Sequence, residues 1–271
     1  MPARFETATS RHSLPHPDPQ AALKTSEMSR LAPLALAPFL AHVAAANPTP
    51  AMLARTAFAP LPALGWFSRT SISFPDAAPD STIVSLESHA PPPFKRISAP
   101  LSFFAAYLAL RPPQSQLDLY LAQQVPPPSF LPDLPPPPFL ATDRIAHTSL
   151  WIGLSPTISP LHEDPDHNIL YQLAGRKVVR MLDPARGKEV LAQVRGTATG
   201  SRLRGDEMMS AEPGGERDRL EQAVWGAHEG VEAMLQEGES LLIPRGWWHA
   251  VRGVGEGEAR QVTASVNWWF R

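Results

Sequence analysis

The chain contains no cysteine. That excludes disulfides, thiolate-held metals and iron–sulfur clusters, so any bound metal must rely on histidine and carboxylate ligands. It also favours an intracellular setting, cytoplasmic or nuclear, over an oxidising one. Charge is scarce: 18% of residues are charged and the formal net charge is −2. Bulk basicity of the kind that drives nucleic-acid or membrane-surface binding is missing, which leaves only a local basic patch as a route to a nucleic-acid partner. Uninterrupted apolar runs are missing too. The alanine-rich stretch from Leu31 to Ala46 is broken by Pro33 and Pro38 and carries His42, so it is too short and interrupted to span a bilayer. Acidic residues precede it (Glu6, Asp18), whereas secretory leaders begin basic and transit peptides avoid acids. The expectation is a soluble chain with no membrane partner and, lacking any internal repeat, no solenoid or propeller.

What is present is proline and a normal apolar content. At 271 residues and 43% hydrophobic, the chain can bury one sizeable core or two small ones. Most of the 32 prolines fall before residue 166, so the N-terminal half is expected to be loop-rich. Residues 1–55 read as a poorly ordered or helical extension, disordered over the first 25. Between Ser98 and Gln124, Leu101, Phe103, Phe104, Tyr107, Leu108 and Leu110 form a helix-like stripe with Ser98 as the candidate cap. The proline-rich run from Val125 to Pro138 favours polyproline II, either docking an aromatic groove on a partner or wrapping the domain as a stiff connection.

From His147 onward the pattern changes to short apolar runs between turn signals, as an all-β barrel or jelly roll requires. Expected strands are Ser149 to Gly153, Ile158 to Asp164, Asn168 to Leu173, Lys177 to Leu182, Ala233 to Leu235, Ser240 to Ile243, His249 to Val254 and Gln261 to Phe270. Gly175 and Gly238 mark tight turns. The polar stretch from Gly196 to Arg219 reads as a surface loop.

Two of these strands carry chemistry. Side chains alternate across a strand, so His162 and Asp164 project to one side and can grip one metal together. His249 is the candidate third ligand. Two histidines and one carboxylate on one face of an octahedron leave positions open for a cosubstrate and dioxygen, the donor set that suits non-haem Fe(II) oxygenases. A lone strand histidine is more often a core or surface group, and a one-residue slip would bring Glu163 to the site in place of Asp164. His167 lies close by and is expected to face elsewhere. Trp247, Trp248, Trp268 and Trp269 read as core fillers in preference to a recognition wall, and Arg176 and Arg180 as surface charge.

The segments Ser159-Pro160-Leu161-His162-x-Asp164-Pro165, Asn168, Gly175-Arg176-Lys177, Gly238-Glu239-x-Leu241-x-Ile243-Pro244, Trp248-His249 and Ser265-Val266-Asn267-Trp268-Trp269 together resemble the JmjC branch of the cupin superfamily. The likeness is to its small hydroxylase-like members and runs from near Pro100 to the C-terminus. It implies a mainly β fold, a double-stranded β-helix (jelly-roll or cupin barrel) behind an N-terminal helical and proline-rich extension. The catalytic domain would span 56–271, with the barrel core from about residue 145. The resemblance further implies Fe(II) held by His162, Asp164 and His249, with 2-oxoglutarate as cosubstrate and O2 as oxidant. Lys177 would pair with the far carboxylate of 2-oxoglutarate, and Tyr120, Ser159 and Asn168 would support the cosubstrate. The implied reaction is hydroxylation of a protein side chain or another macromolecule, preferred here over histone demethylation because the chain has no cysteines for zinc-binding segments. A subgroup that modifies a tRNA base has no basic, aromatic-interleaved patch to match it in this sequence.

Two other readings stay open at this point: a non-catalytic cupin-like interaction module, and a cupin metalloenzyme that does not use 2-oxoglutarate. Relatives of this kind often form a homodimer through terminal elements, but no segment here fixes an interface.

Overall fold

The structure, a computed structural model, describes residues 28–68, 71–75, 79–90, 94–195, 215–226, 229–256 and 259–271. The extension contributes β1 (Ser29–Arg30), β2 (Pro33–Leu34), α1 (Leu36–Val43) and β3 (Ala51–Leu53). Then come β4 (Ile83–Ala90), β5 (Lys95–Pro100), α2 (Leu101–Leu110) and β6 (Asp118–Gln124). The C-terminal half holds β7 (Ile145–Leu154), β8 (Thr157–Glu163), β9 (His167–Ala174), β10 (Arg176–Leu182), α3 (Pro184–Arg195), α4 (Glu216–Trp225), β11 (Val231–Leu235), β12 (Ser240–Ile243), β13 (Trp248–Val254) and β14 (Val262–Phe270).

Strands β7 to β14 deal themselves between two sheets. One sheet runs β12-β9-β14-β7 and the other β11-β10-β13-β8, with every neighbour antiparallel. Two facing four-stranded sheets with this interleaved order make a double-stranded β-helix, a jelly roll. The expected fold class is therefore the observed one. β6, β4 and β5 extend the first sheet on one edge, β3 and β2 extend it on the other, and β1 adds to the second sheet.

Period-two alternation explains where the cores lie. On β14, Val262, Ala264, Val266, Trp268 and Phe270 face the part of the chain that precedes the barrel, packing with Phe39, Leu53, Trp66, Phe104 and Phe130. The alternate residues face into the barrel. There a second core is built from Leu170, Val179, Met181, Leu241, Ile243 and Val251. A third lies outside the smaller sheet, where Leu161, Leu182, Trp248 and Ala250 meet Val190 of α3 and Leu220 and Val224 of α4. The larger sheet is thus covered by the chain that precedes the barrel and the smaller one by helices. Trp248 and Trp268 fill core, as expected of large aromatics near strand ends.

Arg260 ties the segment leading into β6 to the barrel. Its side chain, 9% exposed, pairs with the Asp118 carboxylate and donates to the carbonyls of Pro112, Leu117, Leu154 and Ser155.

Three expectations need correction. The helical stripe from Ser98 to Gln124 is a helix only from Leu101 to Leu110; Ser98 lies in β5, and Pro100 takes the cap position without a side-chain cap. The helix stops where Arg111 turns left-handed (φ 49°) ahead of Pro112 and Pro113, and Asp118–Gln124 continues as a strand. Within the proline-rich run, Pro128–Asp133 forms a 3-10 turn. Its Phe130 rests on this chain's own Trp66 and Phe74, at ring separations of 4.7 and 5.4 Å, so the segment wraps the domain. The polar stretch ends in helix α4 from Glu216; its residues 196–214, and the lead before residue 28, lie outside the described residues.

Candidate functional site

His162 reaches the barrel interior because β8 carries an extra residue. His249 pairs with His162 and Val251 with Ser159, so two steps along β13 are matched by three along β8. That bulge falls at Pro160 and Leu161, where proline has no N–H to give the ladder. It lets Ser159 and His162, three apart, face the same side, and sends Leu161 to the outer core. Glu163 pairs with Trp248, on the face opposite the His162–His249 pair.

The two imidazoles lie with ring centroids 4.1 Å apart. Each Nδ1 meets a backbone carbonyl two residues back, Pro160 O at 2.8 Å for His162 and Trp247 O at 3.1 Å for His249. These bonds place the proton on Nδ1 and leave the Nε2 lone pairs facing the cavity, the arrangement seen for metal-binding imidazoles. His162 Nε2 is 3.9 Å from Asp164 Oδ1, and His249 Nε2 is 3.6 Å from Asp164 Oδ2. One ligand atom from each of the three residues lies within 4.8 Å of the others, so the group could hold a metal ion. His167 is not among them; its Nδ1 accepts from the Arg245 N–H.

Protonation favours the same use. Burial, together with the neighbouring His162, pulls His249 down to about 4 against the opposing pull of Asp164 and the bond to Trp247. Burial alone would raise Asp164. The His249 and His162 rings, and hydrogen bonds from Trp269 and Asn168, outweigh it and hold the carboxyl below its ordinary value. A neutral imidazole and an ionised carboxylate are the forms that bind metals.

All three line a cavity of about 730 Å³, which Lys177 also lines. Lys177 is 2% exposed. Its Nζ donates to Ser265 Oγ at 2.6 Å, and burial lowers it to about 7 with no carboxylate opposing the shift. A buried cation without an anion is costly, which marks the spot as fit for an incoming carboxylate. Tyr120 is also buried, and burial pushes its pKa well up against the opposing influence of Ser159 and Thr157. Its ring lies against the backbone of Gly153, where a Cβ would come within 2.7 Å of Cδ2. Asn168 sits between Asp164 and Asn267, bonded to each at 3.0 Å.

A family model described as a cupin-like domain matches residues 100–271, more than half of the chain. The chain belongs to the cupin-like family, in its JmjC branch. Among its relatives is Lysine-specific demethylase JMJ30 of Arabidopsis thaliana, 27% identical over 135 residues that cover 49% of this chain and 28% of that protein. Lysine-specific demethylase 8 of Xenopus tropicalis is 30% identical over 122 residues, 44% of this chain and 24% of the relative. JmjC domain-containing protein D of Dictyostelium discoideum is 27% identical over 106 residues, 39% of this chain and 22% of the relative. This cupin-like chain spans about a quarter of the length of the curated relatives it matches.

The cupin-like barrel brings His162, Asp164, His249, Tyr120, Ser159, Asn168 and Lys177 around one cavity. Sequence reasoning assigned no role to Ser265 or Asn267 and read Trp269 as a core filler, although all three line it as well. Their spacing at every second position of the last strand was the available signal. Arg176 and Arg180, read as surface charge, are both paired: Arg176 with Glu256 at 2.9 Å, and Arg180 with Glu232 at 2.8 Å, its guanidinium also lying over the Trp225 ring. Among the described residues no helix is long and apolar enough to cross a membrane.

Proposed function

We propose that this chain is an Fe(II)- and 2-oxoglutarate-dependent oxygenase that hydroxylates a protein side chain. The observation that carries the reading is the pairing, in one cavity, of a His162–Asp164–His249 donor cluster with a buried ammonium that has no anionic partner among the described residues. The donor set fits iron(II): two neutral imidazoles and one carboxylate, with no thiolate. When bound, Fe(II) with 2-oxoglutarate and O2 supplies the conversion of a substrate C–H to C–OH, releasing succinate and CO2.

The chain's own groups do the holding, orienting and shielding. His162 and His249 offer their Nε2 atoms because Pro160 O and Trp247 O occupy the opposite nitrogens. Asp164 is kept ionised and steered by Asn168 and Trp269. Lys177 takes the far carboxylate of the five-carbon diacid, a charge-assisted bond made strong by burial. Tyr120 and Ser159 shape and polarise the adjoining wall, and Asn168 serves the metal end. Leu170, Ile243 and Val251 give an apolar lining that limits water and strengthens each of these polar contacts.

A protein substrate is suggested by relatives whose names state lysine-specific demethylase activity. Oxidation of an N-methyl group and hydroxylation of a side-chain carbon begin at the same kind of C–H bond; the first releases formaldehyde and the second leaves a hydroxylated product. The test is conversion of 2-oxoglutarate to succinate by the purified chain with Fe(II) and O2. Turnover that disappears in Lys177→Ala and in Asp164→Ala is expected. No turnover, with no metal bound, would favour the interaction module, and metal binding without 2-oxoglutarate turnover a cupin enzyme of another kind.

A further inference from the structure

The two ends of the cavity are joined by one line of side chains. Lys177 Nζ donates to Ser265 Oγ at 2.6 Å, and Ser265 Oγ donates to Asn267 Oδ1 at 3.4 Å. Asn267 Nδ2 donates to Asn168 Oδ1 at 3.0 Å, and Asn168 Nδ2 to Asp164 Oδ2 at 3.0 Å. The direction is forced from both termini. An ionised carboxylate has only acceptors and an ammonium only donors. Asn168 must therefore turn its NH2 to Asp164 and its carbonyl to Asn267. Asn267 in turn must present its NH2 to Asn168 and its carbonyl to Ser265, whose hydroxyl accepts from Lys177 and donates onward. Every bond points from cation to carboxylate, the arrangement in which successive bonds polarise one another.

The chain is sheltered: Lys177 and Asn168 are 2% exposed, Asn267 4% and Ser265 0%. At its end, Asp164 Oδ2 accepts from both Asn168 and the Trp269 indole, the latter at 2.9 Å. Asp164 Oδ1 receives no hydrogen bond among the described residues and faces His162 Nε2. The two oxygens of one carboxylate are thus given different tasks.

We infer that Asn267 is a positioning residue of the metal centre: acting through Asn168, it fixes the Asp164 carboxylate so that Oδ1 is the oxygen offered to the metal. This rests on the metal-centre reading above. Residues that orient a ligand typically change metal affinity by about 10- to 100-fold when lost, and an amide without its partner can rotate its carbonyl toward Asp164 and repel it.

The experiment is Mn(II) binding to the full chain by calorimetry, with metal-free thermal unfolding and the Co(II) absorption spectrum recorded alongside. Asn267→Leu keeps the side-chain size without the amide; Asn267→Ser is shorter, cannot span to Asn168, and serves if the leucine variant does not fold. Each folded variant is expected to bind Mn(II) on the order of 10- to 100-fold more weakly and to shift the Co(II) spectrum. A variant that melts lower yet binds Mn(II) within about twofold of wild type and keeps the Co(II) spectrum shows a purely structural role and overturns the inference alone. Wild-type protein that takes up no Mn(II) overturns both the inference and the metal-centre reading.

Discussion

Trp269 Nε1 donates to Asp164 Oδ2 at 2.9 Å, joining the end of the last strand to a carboxylate 105 residues earlier. Trp269 is 7% exposed, so its ring also fills the barrel mouth. Trp269→Phe keeps most of that packing and removes the donor. Hydrogen bonds to charged groups contribute about 1.5–3 kcal/mol, and a loss of that order is expected in denaturant unfolding of the metal-free protein. Weaker Mn(II) binding should accompany it.

Lys177 predicts a pH dependence. Its folded value is lowered by burial to about 7, and a bound carboxylate favours the charged ammonium, raising that value in the complex. Below about 7 the lysine is already charged and diacid binding needs no proton. Above it, binding must take up a proton, so the affinity for 2-oxoglutarate should fall as pH rises, by up to about tenfold per unit, until the value in the complex is reached. Calorimetry with Mn(II) in place of Fe(II) reads this directly. Lys177→Met should bind weakly and lose the slope.

Arg260 and Asp118 form a buried pair between β6 and the barrel. Removing one partner of such a pair strands the other charge, at about 3–5 kcal/mol. Arg260→Ala should therefore destabilise strongly in urea, and Asp118→Asn less, because Arg260 keeps its four backbone acceptors.

Gly187 lies in α3 under Trp248, and a Cβ there would fall well inside contact distance of the Cβ, Cγ and Cδ1 atoms of that tryptophan. Alanine is worth up to about 1 kcal/mol over glycine in a helix, but overpacking a rigid core aromatic costs about 1–3 kcal/mol. The clash should win. Gly187→Ala is expected to lower the unfolding temperature by a few degrees and, by moving the residue next to His249, to weaken metal binding.

The eight barrel strands were legible because one face of each is a core and alternation survives in the residues. The helix and strand between Leu101 and Gln124 were not separable by the same means: Leu117, Leu119 and Leu121 prolong the apolar pattern of α2, and only Pro112-Pro113 marks the break. The bulge at Pro160 was hidden too. Strict alternation places Ser159 and His162 on opposite faces, yet both belong to the site because β8 gains a residue there. Lys177 was reached through the family resemblance, since with Arg176 and Arg180 on the same strand it reads alone as a solvated lysine. Ser265, Asn267 and Trp269 were not reached as site residues, since β14 is buried on both faces and its polar residues read as interruptions of a core strand.

The central claim is that His162, Asp164 and His249 hold one metal ion, with Glu163 turned away. Metal content of the purified chain after loading with Fe(II) without oxygen tests it most directly, comparing wild type with Asp164→Ala and Glu163→Ala. One equivalent is expected in wild type and in Glu163→Ala, and little or none in Asp164→Ala. Retention by Asp164→Ala equal to that of wild type, or loss on replacing Glu163 instead, would contradict it.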